Sequence, residues 1–422
     1  MLRGRRRTFL YFLSCFLILM IFVTLRGGNH GGPPRTSPPR GGRTRDAKRS
    51  ADSRGAPNPY KYRVFENYSE AEQEDDPYKD GQNGTGTDPL DIRIFPSTND
   101  QLLYLYNKVL SAPWMPNYKN LASFRDVFFR RTKNMTTQDE VILNHRNVRL
   151  GDSLPYAFTN TMSKDGVKYY FNVTQEILDE IPVASPLSGK AFRRCSVVGN
   201  SGILQDSKCG KEIDSAEFVF RSNVPPLRPF VVDAGRKSNL STMNPSVVHK
   251  RYRRLKDISD HEKFAKDIGE YNGMLWLPCV GSVKMVDICL QAKRSLDFHG
   301  SGNPRPAISN PNHYIAVQHF WGQRNLTQFM STGFYVTHLS LALCDETHLY
   351  GFWPFGSTVE DSPVDVANSN NTISFHTRKV RYHYFDNLPG PNGAHAMQDE
   401  FGVLVQMHKL GMLKMHVSRC RD

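Results

Sequence analysis

Apolar side chains are distributed very differently in the first and the later parts of the chain. Residues 26–95 begin with a stretch rich in glycine, proline, serine and arginine, and an acidic patch follows. Such a composition cannot bury enough surface to fold. Further along, apolar residues recur at helical spacing in the segments 99–114 and 120–134. This spacing predicts two amphipathic helices ahead of the core of the fold.

Beyond Ala191 the chain alternates short β-rich runs with polar segments of helical length. Residues 331–344 predict a helix, because apolar positions recur every three to four residues after a Ser-Thr-Gly start. Four runs are typical of strands: residues 195–200, 216–223, 273–280 and 346–352. The alternation predicts an α/β fold with a parallel or mostly parallel sheet covered by helices. Ligands of such sheets bind beyond the carboxyl ends of the strands.

A continuous apolar run, Phe9–Leu25, follows a cluster of four arginines near the N-terminus. Its length is at the short end of what crosses a bilayer core of ~30 Å. A cleaved signal peptide is the alternative, but the run exceeds a usual h-region and no Ala-x-Ala-like site follows it. The positive-inside rule places the N-terminus in the cytosol. We therefore predict a cytosolic tail (1–8), a transmembrane signal anchor (9–25), a disordered stem (26–95) and a single lumenal domain (96–422).

The net charge of +13 raises the question of nucleic-acid binding. The basic part of the stem has no interleaved aromatic residues, and it is predicted to lie on the far side of a membrane. Both features argue against nucleic acid as a partner.

Sequons and cysteines indicate the secretory pathway. Seven Asn-x-Ser/Thr sequons follow the apolar run, at Asn67, Asn83, Asn134, Asn172, Asn239, Asn325 and Asn370. Apart from Cys15, the cysteines are Cys195, Cys209, Cys279, Cys289, Cys344 and Cys420. None forms a Cys-x-x-Cys or Cys/His zinc pattern, so disulfides are predicted rather than a metal site. Six cysteines allow 15 pairings, and spacing alone does not choose among them.

The four residues Gly199–Gly202 interrupt the strand-like run that begins at Cys195. Glycines after a buried strand let the backbone approach a ligand, and a following helix N-terminus offers free N–H groups. A plain tight turn is the alternative. The stretch lacks both the dinucleotide Gly-x-Gly-x-x-Gly and the Gly-Lys-Ser/Thr of a P-loop. Asp-x-Asp, with which many sugar-nucleotide transferases hold a metal, occurs nowhere in the chain.

Three later stretches carry further candidate chemistry. The segment 331–333 would present hydroxyl and N–H groups to an anion at a helix start. Trp353 would either stack on a base or sugar or belong to the core. His383 and His395, the latter five positions before Glu400, are candidates for proton transfer near neutral pH. The His395–Glu400 spacing does not match the i, i+4 spacing of a helical zinc site.

Taken in order, these four stretches resemble the motifs of the sialyltransferases, glycosyltransferase family 29. Residues 195–227 match the large motif and residues 331–353 the small motif. His383 lies in the short third motif, and His395 with Glu400 forms the very small motif. Four motifs in the family's order are far more specific than any one of them.

The resemblance is strongest to the α2,8-sialyltransferase branch, through Met243–Ser246 ("MNPS") and Leu349–Phe355 ("LYGFWPF"). It implies a type II Golgi membrane enzyme with a variant GT-A, Rossmann-like α/β/α sandwich. Such an enzyme would transfer sialic acid from CMP-sialic acid to a terminal sialic acid on a glycoprotein or glycolipid. It would invert the anomeric centre without a metal or any other cofactor.

The resemblance also implies roles for individual residues. His395 matches the general base, and His383 the histidine near the leaving phosphate. The implied donor-binding residues are Asn200, Ser201, Asn223, Ser331, Thr332, Gly333, Trp353 and Tyr382. The implied disulfides join Cys195 to Cys344 and Cys209 to Cys420. Cys279 and Cys289 are extra to these bonds and either pair with each other or stay free.

Two other functions and two properties stay open at this point. The chain could instead make α2,3 or α2,6 bonds to galactose or N-acetylgalactosamine, or be an inactive Golgi glycan-binding protein. A sialylated acceptor is acidic, and seven arginines are candidates to attract it: Arg193, Arg194, Arg228, Arg236, Arg251, Arg253 and Arg254. The sequence decides neither the acceptor class nor whether the protein forms a homodimer.

Overall fold

The computed structural model describes residues 99–162, 167–300, 302–326, 328–363, 375–388, 390 and 395–420. The predicted tail, anchor and stem lie outside the described residues, as do the sequons at Asn67, Asn83 and Asn370. Within the described part, no helix combines the length and apolarity needed to cross a membrane.

A parallel sheet lies at the centre of the fold. The strands among the described residues are β1 (Ser153–Pro155), β2 (Tyr170–Asn172), β3 (Phe192–Val198), β4 (Phe218–Arg221), β5 (Leu240–Thr242), β6 (Met274–Leu277), β7 (Arg305–Ile308), β8 (Cys344–Tyr350), β9 (Ser357–Pro363), β10 (Phe375–Lys379) and β11 (Lys414–His416). Seven of them form one sheet in the order β11-β8-β3-β4-β5-β6-β7, with every neighbouring pair parallel. The other four form the antiparallel hairpins β1–β2 and β9–β10. The parallel sheet confirms the predicted α/β fold.

Helices connect the strands. The α-helices among the described residues are α1 (Asn99–Ser111), α2 (Tyr118–Arg131), α3 (Thr137–Glu140), α4 (Ala157–Met162), α5 (Gln175–Asp179), α6 (Gly210–Asp214), α7 (Val231–Ala234), α8 (Pro245–Arg251), α9 (Ile258–Ile268), α10 (Val283–His299), α11 (Pro311–Gly322), α12 (Thr332–Leu343) and α13 (Met397–Lys409). Short 3₁₀ helices span Gly202–Leu204, Arg228–Phe230 and Cys279–Gly281.

Both faces of the sheet are apolar, and helices bury both of them. In β3, Val197 joins a core that includes residues of α1, α2, α11, α12 and α13. The next residue, Val198, points to the other face and packs with residues of α6 and α7. On β6, Leu275 packs with residues of α8, α9 and α10. The apolar sequence of β6, and of β4 up to Arg221, is therefore what a sheet covered on both sides requires.

The strand order reverses between β3 and β8. From β3 the chain builds the sheet outward through β4 to β7, and β8 then returns to pair with β3 on its other side. In doubly wound sheets the ligand crevice lies beyond the carboxyl ends of the strands at such a reversal. The turns that follow β3 and β8 border this crevice.

Most elements predicted from the sequence are present. The helices predicted in 99–114, 120–134 and 331–344 appear as α1, α2 and α12, and the four strand-like runs contain β3, β4, β6 and β8. The prediction of a helix directly after Gly202 is wrong. Three residues of 3₁₀ helix follow instead, because Gln205 takes an extended backbone that ends the turn. The polar segment 357–379 begins and ends as the β9–β10 hairpin.

Two long-range disulfides join distant segments. Cys195 is bonded to Cys344, and Cys209 to Cys420, as the family resemblance implied. The two cysteines of the first bond lie 149 positions apart in the sequence. Cross-linking a loop of that order stabilises a fold by roughly 4–5 kcal/mol in the chain-entropy model. Cys279 and Cys289 are buried and unbonded.

The described sequons differ in accessibility. Asn134, Asn172 and Asn325 are exposed. Asn239 is half-buried, and its side-chain oxygen accepts a 2.8 Å hydrogen bond from the Val219 N–H of β4. The first three sites are therefore open to a glycan in the folded chain, whereas Asn239 already has a structural role.

Candidate active site

The turns after β3 and β8 are locked together by backbone contacts. The Gly199 N–H donates to the Tyr350 carbonyl at 2.8 Å, and the Ser201 N–H donates to the Gly351 carbonyl at 3.0 Å. A Cβ atom on Gly199 would lie 2.5 Å from the Gly351 oxygen, so only glycine permits this approach. The glycine turn recognised in the sequence therefore joins the large motif to the end of the small motif.

Polar groups of the large motif gather at this junction. The Asn200 side-chain amide donates to the Ser222 carbonyl at 2.9 Å, and the Ser201 hydroxyl donates to the Trp353 carbonyl at 2.8 Å. The Asn200 Oδ1 and Ser222 Oγ atoms are buried and have no hydrogen-bond partner in the described part of the chain. Buried polar atoms normally have partners, so these two are candidates to meet a ligand.

Asn223 is tied to the start of α12 through one further residue. Its Oδ1 atom accepts from the Asn244 N–H at 3.2 Å, and the Asn244 side-chain amide donates to the Thr332 hydroxyl at 3.1 Å. The predicted donor residues Asn223 and Thr332 thus share one bridge. Asn244 has no role predicted from the sequence, although it belongs to the "MNPS" stretch that resembles the α2,8 branch.

Ser331 caps α12 and is held by the very small motif. Its Oγ atom accepts from the Phe334 N–H at 3.1 Å. Its own N–H and O–H donate to the two carboxylate oxygens of Glu400, at 2.6 and 2.5 Å. Ser331 therefore has no donor left for an anion, contrary to the expectation from sequence. The next residues, Thr332 and Gly333, have N–H groups that the helix itself cannot satisfy.

Glu400 is buried beneath this turn. Burial raises the pKa of Glu400 to about 7, while its hydrogen bonds with Ser331 oppose the rise. A small cavity borders Glu400, Met330 and Ala396. The sequence grouped Glu400 with His395 without a role, and the structure makes it the support of the α12 start.

His395 is oriented by the backbone of the segment before α12. Its Nδ1 atom lies 2.8 Å from the Phe329 carbonyl oxygen, and its ring stacks on the Phe329 ring at 5.5 Å. A carbonyl oxygen only accepts, so Nδ1 carries the proton of the neutral ring. The lone pair is then on Nε2, which is the arrangement that a general base needs.

His383 lies on a segment that is anchored to the glycine turn. The Gly202 N–H donates to the Arg381 carbonyl, and the Tyr384 N–H donates to the Asn200 carbonyl, both at 3.0 Å. His383 Nδ1 lies 2.9 Å from the Asp386 carboxylate, which fixes a proton on that nitrogen. The third motif is therefore placed directly beside Asn200.

The structure assigns the two aromatic candidates differently from each other. The Trp353 ring is buried, contacts Phe355 and Phe401, and donates its N–H to the Ser357 carbonyl at 2.8 Å. The ring therefore cannot stack on a ligand, and the interpretation of Trp353 as a core residue is correct. Only its backbone carbonyl contacts Ser201. Tyr382 is half-buried beside His383, and burial raises the pKa of its hydroxyl.

One group of potential metal ligands occurs in the described part of the chain. Glu212, His416 and Cys420 have ligand atoms within 4.8 Å of one another. Cys420 is bonded to Cys209, and the Glu212 carboxylate already accepts from Tyr350 and Arg194. These groups are occupied by the protein itself and offer no thiolate.

Comparison with known proteins agrees with the motif arrangement. Residues 129–412 match the model of glycosyltransferase family 29 (sialyltransferase). An alpha-N-acetylneuraminide alpha-2,8-sialyltransferase of Xenopus laevis is 33% identical over 281 residues, which cover 65% of this chain and 70% of the relative. The human alpha-2,8-sialyltransferase 8F is 30% identical over 330 residues, covering 77% of this chain and 75% of the relative.

A crystal structure of a mammalian sialyltransferase in complex with Gal-beta-1-3GalNAc-ortho-nitrophenol aligns with a TM-score of 0.40. It is 21% identical, and the alignment covers 69% of this chain and 95% of that one. The family match spans well over half of the chain and includes all four motifs. The chain therefore belongs to glycosyltransferase family 29, the sialyltransferases.

Proposed function

We propose that this sialyltransferase transfers sialic acid from CMP-sialic acid to a terminal sialic acid on a glycoprotein or glycolipid, forming an α2,8 bond. The observation that carries the proposal is the set of hydrogen bonds that link the four motifs: Gly199 to Tyr350, Tyr384 to Asn200, and Ser331 to Glu400. The fourth motif contains His395, whose Nε2 is the basic nitrogen. The α2,8 linkage is supported by relatives that are named for it.

The proposed reaction is an inverting displacement. The acceptor hydroxyl loses its proton to His395 Nε2 as its oxygen bonds to the anomeric carbon of the donor. The bond from that carbon to the phosphate oxygen breaks on the opposite side, and CMP leaves with the electron pair. A sugar hydroxyl is a weak nucleophile, so removal of its proton during attack lowers the barrier.

Negative charge on the leaving phosphate has to be stabilised where it develops. We propose that this is done by the free N–H groups of Thr332 and Gly333 at the N-terminus of the 12-residue helix α12, and by His383. Asn200 and Asn223 would bind the nucleotide. These donors are preorganised by the fold, so the proposal needs neither a metal nor another cofactor.

The proposal includes the setting of the enzyme. The folded domain would be a variant GT-A sandwich, held by the stem and the apolar run 9–25 as a type II protein of the Golgi membrane. The lumenal setting is supported by the two disulfides, which form and persist in oxidising compartments.

A glycan panel tests the proposed function. We expect stem-truncated protein to add sialic acid to acceptors that end in sialic acid, detected by mass spectrometry together with CMP release. Matched acceptors that end in galactose or N-acetylgalactosamine should stay unmodified, and EDTA should not change the rate. Modification of the galactose acceptor would replace the α2,8 assignment with α2,3 or α2,6. Absence of CMP release with every acceptor would favour an inactive glycan-binding protein.

A further inference from the structure

Two non-glycine residues after β4 have a left-handed backbone. Asn223 has φ 59° and Val224 has φ 40°. This conformation is uncommon for any residue with a side chain and a genuine outlier for a β-branched one. The surrounding structure must therefore hold the turn in place, and Asn223 is the residue proposed to bind the nucleotide.

Arg251 holds this turn. Its Nη1 atom donates to the Val224 carbonyl at 2.8 Å. Arg251 is the last residue of α8, and Asn244, which precedes the first residue of that helix, donates its N–H to the Asn223 side chain at 3.2 Å. Residues at both ends of helix α8 therefore hydrogen-bond to the strained turn.

The same guanidinium also reaches the third motif. Its central carbon lies over the face of the Phe385 ring, 5.6 Å from the centroid. The Phe385 ring stacks on His383 with centroids 4.8 Å apart and planes 11° from parallel. The Asp386 carboxylate fixes the imidazole from its Nδ1 edge. The position of the His383 ring is therefore defined by Asp386 at one edge and by Phe385, under Arg251, at one face.

We propose that Arg251 is a positioning residue that aligns the nucleotide-binding turn at Asn223 with the phosphate-side histidine His383. This inference rests on the proposed roles of those two residues. The two contacts use different properties of the side chain. The bond to Val224 needs an N–H donor, whereas the contact with Phe385 uses the flat face of the guanidinium, which lysine lacks.

The neighbouring cations do not share this role. Arg253 is paired with Asp257 and Asp260, at 2.8 and 2.9 Å. The exposed Arg254 donates to His249 at 3.1 Å. Lys250 provides a matched control, since it is the exposed cation that precedes Arg251 in α8.

The test compares four single substitutions and one double substitution. Binding of CMP is measured by calorimetry, which needs no acceptor, and kcat is measured at saturating substrates. Arg251→Met removes both contacts, so we expect the Kd for CMP to rise about tenfold and kcat to fall about tenfold. Arg251→Lys keeps a donor but not the planar face, so the Kd should stay near wild type while kcat falls about threefold to tenfold.

Phe385→Leu should have the same effects as Arg251→Lys, with the Kd for CMP near wild type and a lower kcat. The double variant Arg251→Lys with Phe385→Leu should be no worse than either single variant. Lys250→Met should change neither quantity.

The outcomes separate this inference from the proposed function. If Arg251→Met matches Lys250→Met in both quantities, the inference is wrong. The inference is also wrong if the lysine and methionine variants show the same rise in the Kd for CMP and the same fall in kcat, because the two contacts would then have no separate effects. Thermal unfolding of each variant shows whether the fold is retained, and the lysine variant keeps the test decisive if the methionine variant unfolds. A wild-type protein that binds no CMP would instead overturn the proposed function.

Discussion

Replacing His395 with alanine is expected to lower kcat by ~10²–10⁴, the usual contribution of a general base. The bond from Nδ1 to the Phe329 carbonyl leaves Nε2 as the only basic nitrogen of the neutral ring. No other group is proposed to take the proton of the acceptor hydroxyl. Initial rates of CMP release with a sialylated acceptor measure the loss, and calorimetry should show CMP binding close to that of the wild type.

His299→Ala is the control for this prediction. His299 is an exposed histidine at the end of α10 and lies outside the four motifs. Its removal should leave turnover unchanged. Near-normal turnover in His395→Ala would exclude His395 as the base, and loss of CMP binding in step with turnover would make it a binding residue.

Replacing Glu400 with glutamine is expected to remove a large pH dependence of stability. Burial raises the pKa of Glu400 from its ordinary 4.5 to about 7. The folded state therefore holds this proton more tightly than the unfolded state does. The stability it contributes is complete below about pH 4.5 and is lost as the pH rises through about 7. The loss amounts to about 3 kcal/mol at ~1.4 kcal/mol per pH unit.

The measurement is the free energy of unfolding of both proteins between pH 4.5 and pH 8. Glutamine cannot ionise and still offers an oxygen to the Ser331 N–H, so the variant should gain on the wild type as the pH rises. Glu262→Gln is the control, because it makes the same substitution at an exposed glutamate of α9. Parallel curves for the wild type and Glu400→Gln would show that Glu400 does not titrate in this range.

The parts of the fold that the sequence predicted are those whose signal is local. β3 and β8 each end in an apolar pair with a glycine directly after it, and α12 combines helical spacing with a serine cap. β5 has only three residues and lies within a polar stretch, so its place in the sheet depends on pairing with β4 and β6. Pairing of this kind is a long-range property.

The site shows the same division. The segment of His383 lies beside the Gly199–Gly202 turn, as expected for motifs that follow parallel strands, because the Tyr384 N–H donates to the Asn200 carbonyl. The sequence did not show that Glu400 would occupy both donors of Ser331, 69 positions away. Nor did it show which way the Trp353 ring points. Both depend on side-chain packing between distant segments.

The most direct test of the central claim is a crystal structure with CMP and a sialylated acceptor. We expect the nucleotide to lie beyond the carboxyl ends of β3 and β8, with its phosphate at the start of α12 between Thr332 and His383. We also expect the acceptor hydroxyl to lie within about 2.6–3.2 Å of His395 Nε2. A nucleotide bound away from Asn200 and Thr332, or an acceptor hydroxyl out of reach of His395, would contradict the account.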